Sequence, residues 1–377
     1  MKLNIERGGL AAAVSWAAQS LSARPAGPAL GGLRLVAETT GLRVSGFDYE
    51  TATSASAPAR VDIPGDVLVS GRLLAEIVHL LPDLPVELAV EDGALSIACG
   101  PYRYALQALS SEDYPDPPAA PEISGLVSAA QFAAVATRVA VAAGRDESLP
   151  FLTGIRVEAD GGTLRLVATD RYRLAAGELP WQPVFEGLRT SVLVPARTLA
   201  ALAVSLGSSG QVAIGLPREA KPGAGLLGLR TPERSATARL LDGEFMEYER
   251  VFPDTYTGHV VVETASLVDA VRRVAPVAGR NAPVRLAAAG NRITVEAESE
   301  QNDRAAVAVE AVVSGPDVMF APHPGHLLDG LTALDSPYAR LDFTAPAKPA
   351  VLTGLSAPDA EPDWSYRYLF LPLRTLA

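Results

Sequence analysis

The chain has 377 residues, 48% of them hydrophobic and 20% charged, with a formal net charge of −11 at pH 7. That length accommodates about two to four domains, and the composition is that of a globular chain able to bury a core in each. No apolar run approaches the roughly 18 residues of a membrane helix, and Met1-Lys2-Leu3-Asn4-Ile5-Glu6 lacks a signal peptide's pattern, so a cytoplasmic protein is expected.

A short strand over 3–6 leads into an amphipathic helix over 8–22, where Leu10, Ala13, Val14, Ala17, Ala18 and Leu21 form the apolar stripe. Alternating segments at 32–38, 41–48 and 51–58 read as strands, the first two turned at Thr39-Thr40-Gly41. The cycle restarts with a strand over 61–69 and a helix over 71–81, ended by Pro82-Asp83. Strands near 85–91, 94–99 and 102–108 complete it, with Asp92-Gly93 as a hairpin signal. The lone cysteine, Cys99, excludes an intrachain disulfide or a cysteine metal cluster and reads as a buried, inert thiol.

After the proline-rich connection Ser110 to Glu122 the plan recurs. A helix carries Phe132, Val135 and Val139, strands over 153–158 and 163–168 join at Gly161-Gly162, and a second helix covers about 196–206. The Gly/Pro-rich stretch 215–228 reads as a surface loop or hairpin tip. Beyond a second connection, from Val251-Phe252-Pro253-Asp254 to Thr257, comes a helix striped by Leu267, Val271, Val274, Ala275 and Ala278. A hairpin turn at Ala289-Gly290-Asn291 and a helix over about 324–334 follow.

Landmarks tie these cycles into an internal repeat. A helix closed by Arg24, Arg145 or Arg280 precedes Leu33-Arg34-Leu35, Gly154-Ile155-Arg156-Val157 or Val284-Arg285-Leu286, at intervals of 121 and 135 residues. Val67-Leu68-Val69, Val192-Leu193-Val194 and Val318-Met319-Phe320 each precede a second helix, at intervals of 125 and 126. Solenoid repeats run roughly 20–50 residues per unit, so these are repeated domains: 1–121, 122–256 and 257–377. Each is expected to pack two helices on small antiparallel sheets, an α+β architecture.

The acidic average hides a pattern. Of 32 basic residues only Lys2, Lys221 and Lys348 are lysine, and Arg7, Arg24, Arg72, Arg138, Arg145, Arg197, Arg272, Arg273 and Arg280 fall on predicted helices or their ends. From charge alone these are solvated surface or one basic face that tolerates DNA. No phosphate-binding loop or nucleophile elbow is present. His323 and His326 could offer two metal ligands, but Pro324-Gly325 between them fits a helix entry better. Thr169-Asp170-Arg171-Tyr172-Arg173 reads as a hairpin with a local Asp–Arg pair or as a recognition surface.

Leu152-Thr153-Gly154-Ile155, followed by Val167-Ala168-Thr169-Asp170-Arg171-Tyr172-Arg173-Leu174-Ala175, resembles the central-domain signature of the bacterial DNA polymerase III β sliding clamps, in an actinobacterial style. Val194-Pro195-Ala196-Arg197, Leu241-Asp242-Gly243-Glu244-Phe245 and Tyr368-Leu369-Phe370-Leu371-Pro372-Leu373-Arg374 extend the resemblance over essentially the whole chain. It implies three tandem copies of the clamp (processivity-fold) domain and a head-to-tail homodimer forming a ring around duplex DNA. The implied partners are sequence-independent double-stranded DNA, a clamp loader, and DNA polymerases and repair factors carrying clamp-binding peptides. No catalysis, cofactor or metal is implied. Arg24, Arg72, Arg138, Arg145, Arg197, Arg272 and Arg280 then take an inner, DNA-facing location.

The same resemblance implies a peptide pocket. Its deep part would be formed by Leu152, Thr169, Arg171, Tyr172, Arg173 and Leu174 with Met246, Arg250, Val251, Leu369 and Leu371. Its adjoining part would involve His323, His326, Pro372, Leu373 and Arg374. Here the chain departs from the family pattern. Met246 stands where proline is usual, Glu249 where a basic or neutral residue is common, and His323 and His326 where asparagine and tyrosine are common. Drift with retained binding is one explanation; a specialised second clamp that resists a pocket-directed antibiotic is the other.

Overall fold

Six α-helices occur among the described residues, which are 1–217, 225–279, 282–345 and 348–372 of a computed structural model. They are α1 (Arg7–Ala17), α2 (Gly71–Leu80), α3 (Ala129–Ala140), α4 (Ala196–Ser205), α5 (Thr264–Ala278) and α6 (Pro324–Leu334). The expected stripes are their buried faces: Leu10, Ala13, Val14 and Ala17 on α1, and Leu267, Val271, Val274 and Ala278 on α5. No described helix is long and apolar enough to cross a membrane.

Two local expectations change. The first helix stops at Ala17, followed by one 3-10 turn at Ala18–Ser20. The Ala17 carbonyl accepts from Ser20 Oγ at 3.0 Å and Thr53 Oγ1 at 2.8 Å, so side-chain hydroxyls satisfy it and the α-helix ends. Arg24 therefore lies beyond the helix rather than closing it, as Arg145 lies beyond α3; Arg280 falls outside the described residues. The strand expected over 61–69 is two strands, Arg60–Ile63 and Gly65–Ser70, which pair with Lys2–Asn4 and Gly32–Ala37 respectively. Pro64 between them has no N–H to continue a ladder. The hairpin at Asp92-Gly93 takes φ of 48° and 76°, the left-handed pair that a two-residue turn requires.

The chain forms two compact units. The first comprises Met1–Ala130, Trp181–Thr190 and Ala201–Leu240. It holds a five-stranded sheet with Tyr102–Gln107 at one edge, and a nine-stranded sheet that joins distant segments by pairing Thr51–Ala57 with Arg234–Arg239. Trp16, 2% exposed, donates its one indole N–H to Ser54 O at 3.0 Å and Ser235 O at 3.1 Å, one carbonyl from each side of that pairing. Cys99 is 1% exposed, with Sγ at 3.7 and 3.6 Å from the carbonyls of Pro82 and Leu84, as an inert core thiol should be. The strands Gln211–Gly215 and Leu226–Arg230 pair antiparallel, and residues 218–224 between them, where a hairpin tip was expected, lie outside the described residues.

The second unit comprises Gln131–Pro180, Ser191–Ala200 and Leu241–Ala377 and is built on a twelve-stranded sheet. Its decisive pairing runs Arg173–Pro180 antiparallel to Asp363–Phe370, in the register Arg173↔Phe370, Leu174↔Leu369. Two segments almost two hundred residues apart thereby become adjacent strands. Helix α3 packs across them: a Cβ on Gly177 would meet Val135 Cγ1 at 2.7 Å, so only glycine admits the helix this close. On α6, Gly330 plays the same part, since a Cβ there would lie 2.4 Å from the Tyr368 ring.

Candidate functional site

The turn Thr169–Arg173 is organised by its own short side chains. Asp170 Oδ1 accepts from the backbone N–H of Tyr172 at 3.0 Å and of Arg173 at 3.1 Å. Thr169 Oγ1 donates to Arg173 O at 2.7 Å and accepts from Arg171 N at 3.1 Å. Asp and Thr side chains mimic backbone partners in this way, and here they hold Arg171 at φ 77°. The turn throws Tyr172 outward, 54% exposed, and turns Arg173 inward, 6% exposed.

Arg173 then links two elements. Its Nε donates to Asp170 Oδ2 at 2.9 Å, and its Nη1 donates to Asp329 Oδ2 of α6 at 2.5 Å. Helix α6 begins with His323, whose Nδ1 accepts from Gly325 N at 3.2 Å while Pro324 occupies the first turn. The His323 and His326 rings lie 4.7 Å apart, and His326 is 6.2 Å from the Tyr172 ring. Tyr368 Oη donates to His326 O at 2.7 Å, and Leu371 N donates to Tyr172 O at 2.9 Å. The helix-entry reading of the two histidines thus has its geometry. Among the described residues no group of three His, Cys, Asp or Glu is arranged to hold a metal ion.

Thr169, Arg171, Tyr172, Arg173, Leu174, His323, His326, Leu369 and Leu371 are therefore brought together by pairing and hydrogen bonds. Leu174 and Leu369, 2% and 1% exposed, join one apolar cluster with Val167, Tyr248 and Phe252, against which Val251 packs. Met246 and Leu371 are partly open, 42% and 36% exposed. Leu152 is buried in the turn Pro150–Thr153, where its carbonyl accepts from Gly144 N at 2.7 Å. Arg250 points to solvent beside Glu247 at 2.9 Å, an exposed pair of little energetic weight. Pro372 ends the described chain, and Leu373 and Arg374 lie outside it.

Sequence reasoning did not single out Asp329, Tyr368 or Tyr248 for this site. Asp329 follows His326 by one helical turn, which a helical reading of 324–334 puts on the same face; nothing local marked it as the partner of Arg173.

Burial lowers the pKa of His326 below its ordinary 6.5, and the Arg173 guanidinium and His323 push the same way against Asp170 and Asp329. The folded protein therefore binds this proton less readily than the unfolded chain. Stability from the neutral imidazole is complete above the unfolded value and is lost as pH falls through and below about 6.5. Denaturant midpoints at pH 7.5 and 5.5 should show this fall, and His326→Gln should flatten it.

The predicted DNA-facing arginines divide. Arg24, Arg72, Arg145, Arg197 and Arg272 are exposed. Arg138 is not free: its Nε donates to Ala333 O at 2.6 Å and its Nη2 to Leu334 O, and its guanidinium lies 4.9 Å over the Tyr366 ring. It satisfies the last carbonyls of α6, so its guanidinium is engaged within the fold. Arg145 and Arg197, with Glu147, Thr153, Thr198 and Asp329, line a cavity of about 420 Å³.

Family models of the DNA polymerase III beta subunit match the chain in tandem: the N-terminal domain over residues 1–118, the central domain over 126–247 and the C-terminal domain over 249–367. The chain belongs to the DNA polymerase III beta subunit family. It is 45% identical over 374 residues to the beta sliding clamp of Streptomyces coelicolor, covering 99% of each chain. It is 41% identical to the beta sliding clamp homolog GriR of Streptomyces muensis, again over 99% of each. Among solved structures it matches a DnaN sliding clamp from Pseudomonas aeruginosa bound to griselimycin, with a TM-score of 0.89 and 25% identity over 100% of both chains. The three matched segments hold α1 with α2, α3 with α4, and α5 with α6. The α+β clamp fold and the sliding-clamp function drawn from the Thr169–Arg173 signature are those of this family.

Proposed function

We propose that two copies of this chain meet head to tail and close a ring around duplex DNA in the cytoplasm, as a non-catalytic accessory subunit of a replicative polymerase. The observation that carries this is the tandem match of three clamp domains, each with two helices. We divide the chain at 1–121, 122–256 and 257–377. The exposed arginines Arg24, Arg72, Arg145, Arg197 and Arg272 would meet phosphates without reading bases, which lets the ring slide. Affinity for DNA then comes from topology, so a clamp loader must open the ring.

Two open sheet edges support the head-to-tail contact. Among the described residues Tyr102–Gln107 is an edge strand, and Arg304–Glu310 pairs only with Arg292–Glu298 before the strand crosses at Ala311 to pair with Gly258–Glu263. Open edges of that length need covering, and each can complete the other in a neighbouring copy. The pocket around Leu174, Leu369, Tyr172 and Leu371 would take the leucine and phenylalanine anchors of polymerase and repair-factor peptides. The expected result is retention on nicked circular DNA and release when that DNA is linearised. Absence of both would leave a clamp-fold scaffold that does not encircle DNA.

A second reading concerns only the pocket. The thioether of Met246 and the ring row Tyr172, His326, His323 alter its walls, and similarity to GriR at 41% identity runs over 99% of this chain. They favour a specialised clamp copy that keeps the replication peptide and disfavours a pocket-directed antibiotic. Affinities for a clamp-binding peptide and for griselimycin, compared with those of the Streptomyces coelicolor clamp, test this. Equal affinities for both ligands would sink it.

A further inference from the structure

The connector from Leu241 to Thr257 carries Met246, Arg250 and Val251 of the pocket, yet its only regular element is the 3-10 turn Glu249–Val251. A wall built on such a segment needs an anchor. Tyr248 is 1% exposed, while Glu247, Glu249 and Arg250 around it are open to solvent. Its hydroxyl donates to Glu158 Oε2 at 2.7 Å and accepts from Arg165 Nη1 at 3.4 Å.

Glu158 sits between two guanidiniums. Arg156 Nε lies 2.6 Å from Oε1, without hydrogen-bond alignment, and Arg165 Nη1 lies 3.6 Å from Oε2. Arg165 is itself held by Glu178, through Nε at 2.8 Å. The Arg156 guanidinium also lies 5.9 Å from the ring centroids of both Phe245 and Tyr248. Side chains from the adjacent strands Gly154–Asp160 and Thr163–Thr169 thus grip the connector at two aromatic rings. The Tyr248 ring also belongs to the cluster that contains Leu174 and Leu369.

We infer that Tyr248, held by Glu158, is the positioning residue that sets the connector wall of the partner pocket, an inference that rests on the pocket reading above. A phenol donating to a carboxylate makes a charge-assisted bond, and in a side chain this buried such a bond fixes position as well as energy. Burial and Glu158 both raise the Tyr248 pKa, so the phenol remains a donor across the working pH range.

The test uses the full-length dimer and a fluorescein-labelled peptide with leucine and phenylalanine anchors. Tyr248→Phe removes the hydroxyl and keeps the ring; it should weaken peptide binding about tenfold, chiefly through faster dissociation. Retention on nicked circular DNA should not change. Glu158→Ala should match that loss, and the double variant should lose no more than either single one, because both break one bond. Glu158→Gln keeps an accepting oxygen and should bind within about threefold of the parent. Leu371→Ala is the control for the pocket itself. If Leu371→Ala weakens binding while Tyr248→Phe and Glu158→Ala only lower the thermal midpoint, Tyr248 is merely structural and the inference fails. If Leu371→Ala also leaves affinity unchanged, the pocket reading fails and takes the inference with it.

Discussion

Replacing Arg173 by methionine should destabilise the protein by about 3 kcal/mol and abolish tight peptide binding. Arg173 is 6% exposed, and its guanidinium is shared between Asp170, 17% exposed, and Asp329, 42% exposed. Removing the cation leaves the Asp170 carboxylate largely buried with only backbone donors, the situation in which breaking a buried pair costs most. Asp329 keeps contact with water, which places the estimate at the lower end of the usual range. The binding effect follows from geometry: without Arg173, α6 loses its tie to the Thr169–Arg173 turn, and the row Tyr172, His326, His323 loses its spacing. Arg173→Lys keeps the charge but not the fork that reaches two carboxylates at once, so it should recover part of the stability and little of the binding. Denaturant unfolding and peptide titration on the same samples check both parts. A loss under about 1 kcal/mol would mean that the two carboxylates are better solvated than their burial implies.

Leu369→Ala should cost a similar amount, about 3 kcal/mol, for a different reason. Leu369 is 1% exposed, pairs across the sheet with Leu174 on one side and Val351 on the other, and sits in the cluster with Tyr248 and Phe252. Truncation removes transfer energy and leaves a cavity that flanking strands cannot collapse to fill. In the pocket proposed above peptide affinity should fall as well, since Leu369 forms the floor beneath the anchors. Leu369→Met conserves volume and should cost less than about 1.5 kcal/mol. Equal effects of alanine and methionine would show that the loss comes from altered strand pairing and not from the cavity.

Local chemistry made much of this protein readable in advance. The helix over 324–334 is found with those bounds, the Asp92-Gly93 turn takes the backbone its residues favour, and Cys99 is a core thiol. The turn at Thr169–Arg173 is a hairpin closed by an Asp170–Arg173 pair, one of the two readings its residues allowed, and the other, a recognition surface, is the role the proposed function assigns to it. Other features left no local trace. Arg138 has the look of a solvated helical arginine, and only the arrival of the α6 C-terminus beside it turns it into a cap. Trp16 is buried on α1 outside the stripe read from the sequence, and the carbonyls it bonds come from residues 54 and 235. Tyr248 sits in a polar, irregular stretch, and its burial depends on charged partners from two strands nearly a hundred residues earlier.

Periodicity, turn residues and repeated landmarks are properties of neighbours along the chain, so the sequence by itself determined the six helices, the strands of the first repeat, the triplication and the family. What only the tertiary structure decided are the partners of buried polar groups. Each such group must find its complement wherever the fold supplies one, and the complement of Arg173 lies 156 residues away on α6. The pairing Leu174↔Leu369 then makes neighbours of two ordinary apolar strands, the floor of the pocket proposed above. No local pattern encodes that adjacency, because it depends on sheet register and on the burial that register imposes.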